Sequence, residues 1–504
     1  MSAAPRPAEI LEIERKFDVV DADRLPSFAG LPGVAAVDDP VEYRLDAVYF
    51  DTPDLALAAR RMALRRRTGG SDAGWHLKTS AGVDAHREFH EPLGTDAQEV
   101  PERLKGLVRV HVRGRPLIPV ARLRTRRSVS RLRDGSGAVL AEVSDDRVQA
   151  DRLAEPRART SWREWEVELV NGDRPLLDAA QALLETKGVR LAQSSSKFVH
   201  ALGEQLPVPP PELRADRRSS AGELLLAYLD EQIRMLWQQD PLVRQDEPDA
   251  LHQMRVTTRR ARSALNSYRR LLDSKAGDRL RAELGWLAGI LGTARDSQVL
   301  RERFERAAAE QAEDRSPALI DERLDAQYTA ARAAVLQALD SGRYVHLLDD
   351  LDALISRPPL SSAGREPAIE IVPELLRREW RRLRRAVTRA SRAHAGHRRD
   401  RMLHEARKAA KRVRYAAEAA APLNHEPALR LAAAAEEVQT ILGDHQDGVV
   451  ARRMLRDLGE QARSSGDDDD GYRRMSAKEQ EAAADSEARF FRAWSTFPGP
   501  SLEL

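Results

Sequence analysis

Not one of the 504 residues is a cysteine, so a disulfide scaffold, a thiolate metal site and a cysteine nucleophile are excluded together. Long apolar runs are missing as well. No 18 successive uncharged apolar residues occur, and the leading MSAAPRPAEILEIERKF lacks the basic segment and apolar stretch of a secretory leader. A soluble cytoplasmic protein without membrane contact is therefore expected. An excess of either charge is absent too, since 82 Lys and Arg face 80 Asp and Glu for a net +2. Yet 32% of residues are charged and the basic ones are clustered, so the balance conceals strong local fields.

A chain of this length exceeds one ordinary core, and two domains are the expectation. The stretch LPVPPPEL, residues 206–213, is a proline-rich extended spacer across which the texture changes. We place a first domain at 8–205, a linker at 206–217 and a second domain at 218–497. Eight short runs precede the spacer: EIERKFDV, EYRLDAVYFDT, MALRRRTGG, GWHLKTS, HREFHEPL, ARLRTRRSVSRLRDGSG, AVLAEVSDD and WREWEVELVNG. Period-two alternation and terminal Gly, Asn, Asp or Pro mark them as strands. Beyond the spacer the sequence has helical period and almost no strand signal, giving an α+β protein overall.

Charge on the strands is unusual. In LEIERKFDV, Glu12, Glu14 and Lys16 share one face, the face on which a half-buried strand ordinarily carries apolar residues. The pattern recurs with Arg65 and Arg67, with Arg122, Arg124 and Arg126, and with Glu164, Glu166 and Glu168. Lys78, Arg87, Glu142, Asp146 and Lys197 extend the set. If the opposite faces pack against helices, such strands close into a barrel with a polar interior that has a cationic and an acidic wall. Arginine forks and lysine ammonium groups suit phosphate oxygens, and carboxylates suit a hard divalent cation. Together they describe a pocket for a metal-bound polyphosphate chain.

Glu12-Ile13-Glu14-Arg15-Lys16 resembles the ExExK signature of the CYTH family of triphosphate tunnel enzymes. The later motifs follow in the family's order over roughly residues 8–203. The resemblance implies an eight-stranded antiparallel tunnel with flanking helices. Its catalytic set would be Glu12, Glu14 and Lys16. Lys16, Arg65, Arg67, Lys78, Arg87, Arg124, Arg126 and Lys197 would hold phosphate. Mg²⁺ or Mn²⁺ would sit on Glu12, Glu14, Glu142, Asp146, Glu166 and Glu168, with Asp145 replacing Asp146 if a bulge shifts the register. Hydrolysis of a phosphoanhydride is the implied reaction, although some members cyclise ATP. His90 stands where relatives often carry an acid, which keeps a non-catalytic binding tunnel in view.

The helical half repeats itself. HQMRVTTRRARSAL from His252 returns as HEARKAAKRVRYAA from His404, and LAGILGTARDSQVL returns as VQTILGDHQDGVVA. His252, Arg255, Arg259 and Arg262 form one helical stripe at i, i+3, i+7 and i+10, and His404, Arg407, Lys411 and Arg414 repeat those offsets. Six arginines and no acid lie between residues 252 and 270, so ion pairing along the helix is not their purpose. These residues resemble the CHAD family over about 218–497. That implies two duplicated four-helix bundles binding inorganic polyphosphate through the two stripes, joined by Arg260 and Lys408, with no catalysis of their own. Gln446 stands in the second copy where the first has Arg295. Nucleic acid is not the expected partner, because the helices offer chiefly Tyr268 and Tyr415 as aromatics and both suit the core. Association with cytoplasmic polyphosphate granules follows as an expectation.

Overall fold

A computed structural model describes residues 8–82, 84–94, 99–209, 211–309, 317–466 and 468–499. The chain divides into two compact units, Met1–Pro210 and Pro211–Leu504. Residues 206–209 and 211–216 between them carry neither helix nor strand, and Pro210 lies outside the described residues.

The first unit contains β1 (Ala8–Val19), β2 (Ala36–Val37), β3 (Val41–Asp51), β4 (Ala63–Thr68), β5 (Gly74–Gly82) and β6 (Ala85–Glu91). After helix α1 (Glu102–Val112) come β7 (Ile118–Arg133), β8 (Val139–Arg152), β9 (Ala158–Leu169), α2 (Arg174–Glu185), β10 (Arg190–Leu191) and α3 (Lys197–Leu202). Strands pair antiparallel around the ring in the order β1, β6, β5, β4, β3, β7, β8, β9. β9 then pairs with β1 and closes the barrel, while the two-residue strands β2 and β10 lie beside β7 and β1.

Many apolar side chains of these strands point away from the axis, although Leu45, Leu123 and Val129 line the cavity. Phe17, Val143, Trp165 and Val167 pack against Leu176, Leu177, Ala180 and Leu184 of α2. On another side Leu64, Trp75, Leu77 and Phe89 pack against Leu104, Leu107 and Val108 of α1. Each fully buried large side chain stabilises by roughly 1.5–3 kcal/mol, so the outer helices hold the strands in a register that leaves the other face charged. Helix α2 starts where Asp173 accepts a hydrogen bond from the Leu176 N–H, with a proline in its first turn. Ser196 caps α3 through the Val199 N–H. Phe198, Ala201 and Leu202 of that short helix seat on Tyr49, Leu123 and Val148, which fixes the position of Lys197 at its start.

All-helical structure fills the second unit: α4 (Ala221–Arg244), α5 (Ala250–Ser267), α6 (Ser274–Ala309), α7 (Pro317–Leu339) and α8 (Gly342–Ser356). They are followed by α9 (Ser362–Arg365), α10 (Ala368–Arg392), α11 (His397–Ala420), α12 (His425–Ser465) and α13 (Asp470–Ser495). A capping box between Ser220 and Glu223 opens α4. Helices α4–α8 pack on one another, as do α10–α13, and the groups meet where α5 lies against α11. No described helix is long and apolar enough to cross a membrane.

Candidate active site and basic stripes

Strand register brings the charged faces together. Glu14 lies opposite Glu168 and Lys16 opposite Glu166 across β1 and β9. Glu142, Ser144 and Asp146 of β8 lie opposite Glu168, Glu166 and Glu164 of β9. Lys78 faces Glu88 across β5 and β6. The cavity inside the barrel measures about 750 Å³, and Glu12, Glu14, Lys16, Arg65, Arg67, Lys78, Glu142, Glu166, Glu168 and Lys197 line it. Asp146 sits beneath its wall, wholly buried.

Nearly every inward cation meets an acid. The Lys78 ammonium lies 2.5 Å from Glu12 and 3.2 Å from Glu14. Lys16 lies 2.6 Å from Glu14 and also touches Glu166. Lys197 reaches Asp146 at 2.8 Å, Glu164 at 2.7 Å and Glu166 at 2.5 Å. Arg127 forks onto both oxygens of Asp146, at 2.9 and 2.6 Å, and contacts Glu166. Arg65 stands 3.2 Å from Glu88, whose carboxylate lies 2.8 Å from His76 Nδ1. Arg67 is paired with Asp72 at the turn between β4 and β5.

This crowding divides the acids. Burial opposes the charge on Glu14, but Lys16 and Lys78 outweigh it and bring its pKa down to about 2. Burial pushes Glu12 the other way, up to about 8, helped by its hydrogen bond to Glu88 and by the charges of Glu88 and Glu168 and opposed by Lys78. Glu168 is raised by burial and by Glu14. On the opposite wall burial, and then the charge of Arg65, lowers Arg67 to about 9. One carboxyl that holds its proton near neutrality thus stands two residues from one that never does.

A divalent cation fits this donor set. One oxygen from each of Asp146, Glu164 and Glu166 can be chosen so that all lie within 4.8 Å of one another, and carboxylate oxygens are donors that a hard divalent cation takes. Lys197 and Arg127 already neutralise that trio. Glu12, Glu14 and Glu168 line the cavity directly, and burial raises Glu12 and Glu168, so these acids face the space a new cation would enter.

Three sequence-based placements need correction. Arg87 lies on the outer face of β6, 2.9 Å from Glu9, because Phe89 of the same parity is buried against α1 and turns Glu88 inward. Arg124 and Arg126 are exposed on the outside of β7, with Arg124 paired to Asp151 at 3.0 Å. The inward arginines of that strand are Arg127 and Arg131. Asp145 does not replace Asp146; β8 keeps register with β9 there, and Asp145 turns outward to Arg163. Glu164 completes the buried acid trio although it was left out of the expected metal set. Arg127, Arg131, Glu88 and Glu164 were thus missed, and for Glu88 the signal was present in the parity of its neighbour Phe89.

On the helical unit the two stripes converge. A glycine of each repeat faces an arginine: a Cβ on Gly443 would lie 3.1 Å from the Arg407 guanidinium, and one on Gly292 would lie 3.9 Å from that of Arg255. Arg255 pairs with Asp296 at 3.0 Å, and Arg259 donates to the Tyr415 hydroxyl at 2.9 Å. Lys411 forms no ion pair among the described residues. Burial, then the positive charges of Arg407, Arg259 and Arg255, lowers it to about 6. Other expected members are spent elsewhere: Arg260 and Arg414 on Glu418, and Lys408 on Glu405. Arg262 is exposed over Gly285. His252 and His404 are lowered by burial and by neighbouring cations, so they stay neutral near pH 7. His445 is buried 3.5 Å from Asp400.

Family models of the CYTH domain and the CHAD domain match residues 11–201 and 227–456. Two proteins of Mycobacterium tuberculosis, the uncharacterized proteins MT2285 and Rv2226, are each 40% identical over 485 residues, covering 92% of both chains. The chain belongs to the CYTH and CHAD families. Among solved structures, the CHAD domain from the plant Ricinus communis is 25% identical with a TM-score of 0.47, covering 58% of this chain and 98% of that one. CYTH members include triphosphatases and cyclases, and CYTH domains depend on metal. Membership supports a tunnel-type role in triphosphate binding or hydrolysis for the barrel.

Proposed function

We propose that the CYTH barrel hydrolyses inorganic triphosphate or another short polyphosphate with Mg²⁺ or Mn²⁺, and that the CHAD helices bind inorganic polyphosphate. One observation carries this reading: a cavity of about 750 Å³ inside a closed ring of strands, lined by Arg65, Arg67, Lys78 and Arg127 together with Glu12, Glu14 and Glu168. Phosphoryl transfer asks a protein mainly for positioning and charge neutralisation. Arg65, Arg67 and Arg127 supply forks for phosphate oxygens, and Lys78, released from its carboxylates, supplies a point charge. Glu12, Glu14 and Glu168 would hold the cation, whose chemistry when bound is to polarise phosphate oxygens and to acidify water. Glu12 must lose its proton to serve, and it then becomes a base beside the phosphate site.

A non-catalytic binding tunnel is the second reading, favoured by the satisfaction of Asp146, Glu164 and Glu166 by Lys197 and Arg127. Products separate the readings. Purified protein incubated with triphosphate, long-chain polyphosphate or ATP, with Mg²⁺ or Mn²⁺, should release orthophosphate from triphosphate. Binding without turnover would establish the adaptor, and pyrophosphate with a cyclic nucleotide would establish a cyclase. In the cell the CHAD unit would then direct the enzyme to cytoplasmic polyphosphate, granules included.

A further inference from the structure

Helix α10 precedes the stripe helix α11 as α4 precedes α5, yet the two differ in charge. The two arginines of α4, Arg234 and Arg244, are paired within the helix to Asp230 and Asp240. From residue 380 to 399 the chain has eight arginines and no acid. Leu376, Leu383, Ala386, Val387 and Ala390 bury one face of α10. Arg377, Arg381, Arg385, Arg389 and Arg392 stand exposed on the other, none with an ion pair among the described residues. Glu379, the buried acid of α10, is taken by Arg378 and Arg382. From Arg377 to Arg392 the row rises about 22 Å.

Helix α10, which carries the row, packs along α11, the helix of the second stripe. Glu405, held low first by its hydrogen bond from Lys408, also feels His404 and Arg389. On the same side Arg412 of α11 is lowered by burial and then by Arg382, and Arg262 of α5 bears on it too. A chain leaving the stripe near Lys408 would thus pass Glu405 and reach Arg389 of the exposed row.

Building on the polyphosphate reading of the CHAD unit, we infer that the exposed arginine row of α10 extends the groove into a track that selects long polyphosphate chains over short ones. The occupant is a flexible phosphate polymer without bases. Trp380, the aromatic of α10, is half-buried under Arg384 and donates to the Pro498 carbonyl, so no ring is free to stack a base. The apolar face of α10 is consumed by the core, which removes the anchor an interfacial helix would insert into lipid.

The full chain carrying Arg381→Gln, Arg385→Gln, Arg389→Gln and Arg392→Gln tests the track against short-chain and long-chain inorganic polyphosphate. Long-chain affinity should fall at least about tenfold, and its dependence on log salt should become shallower by about 3, near 0.7 for each lost contact on a flexible strand. Short-chain affinity should hold within about twofold, and the four lysine replacements should keep most of the long-chain affinity. Equal losses for both lengths, or none, would overturn the track, as would tighter wild-type binding of duplex DNA or phosphatidylserine vesicles that the glutamine variant loses. A companion variant, Arg407→Ala with Lys411→Ala, judges the reading beneath it: full retention of binding at both lengths would defeat the CHAD groove itself, whatever the α10 variant does.

Discussion

Barrel and groove are both lined with cations, and they treat them in opposite ways. Inside the barrel Lys16, Lys78 and Lys197 each lie within 2.6 Å of a carboxylate oxygen, so the interior is neutralised by its own acids. Across the stripes Lys411 forms no ion pair among the described residues; Arg407, Arg259 and Arg255 bear on it, offset in part by Asp447, while Arg255 is paired with Asp296. A self-neutralised interior can fold empty, and a guest enters by exchanging ion pairs already present. A stripe whose cations are only partly matched by acids gains from an external polyanion. Selectivity in the barrel should therefore depend on geometry and metal, whereas the groove should respond to salt and pH.

The largest effect that separates the two is metal removal. EDTA should take orthophosphate release from triphosphate to background while leaving long-chain polyphosphate affinity unchanged, measured by fluorescence anisotropy in the same buffer. A parallel loss of binding would merge the two sites and break the contrast.

Next in size is the parity of β7. Arg127→Ala should reduce kcat/KM for triphosphate by roughly a hundredfold or more. It should also lower stability by about 3 kcal/mol, since it strips a cation from the buried carboxylates of Asp146 and Glu166. Arg124→Ala, on the outer face, should change either quantity little. Similar rates for the two variants would mean that the strand faces the other way.

The smallest effect is pH, and its sign is distinctive. Lys411 is lowered to about 6 from an ordinary 10.5, so between those values the unfolded chain holds a proton that the folded chain lacks. Stability should rise with pH across that window. A bound polyanion raises the same pKa, so binding takes up a proton and weakens as pH rises. Lys411→Met should remove both trends in melts and titrations from pH 6 to 9. Trends of one sign, or trends unchanged in the variant, would locate the titration elsewhere.

How far the sequence alone could go depended on whether each strand had one readable parity. EIERKFDV and WREWEVEL alternate cleanly, with Phe17, Trp165 and Val167 on the outer face, and there the inward acids were legible. ARLRTRRSVSRLR carries arginines on both parities, and its lumen side includes Leu123 and Val129, which look like ordinary core positions. Three aligned arginines were persuasive, yet Arg127 and Arg131 do the facing inward. That choice is made by cross-strand register with β3 and β8, which no local pattern encodes. Among the helices the stripes were legible from their period. What was not legible is which charges are paired, since Arg260 meets Glu418, 158 residues away.

In the proposed reaction, acids and bases meeting inside the barrel hold a metal-bound triphosphate in position to be cleaved. Glu14→Gln keeps the shape of a residue that Lys16 and Lys78 hold ionised and removes its charge. Steady-state orthophosphate release from triphosphate, followed over a Mn²⁺ titration in wild type and variant, should fall by about a thousandfold at every metal concentration, with long-chain binding intact. Undiminished release in the variant, or wild-type release that ignores Mn²⁺ in the presence of chelator, would contradict it.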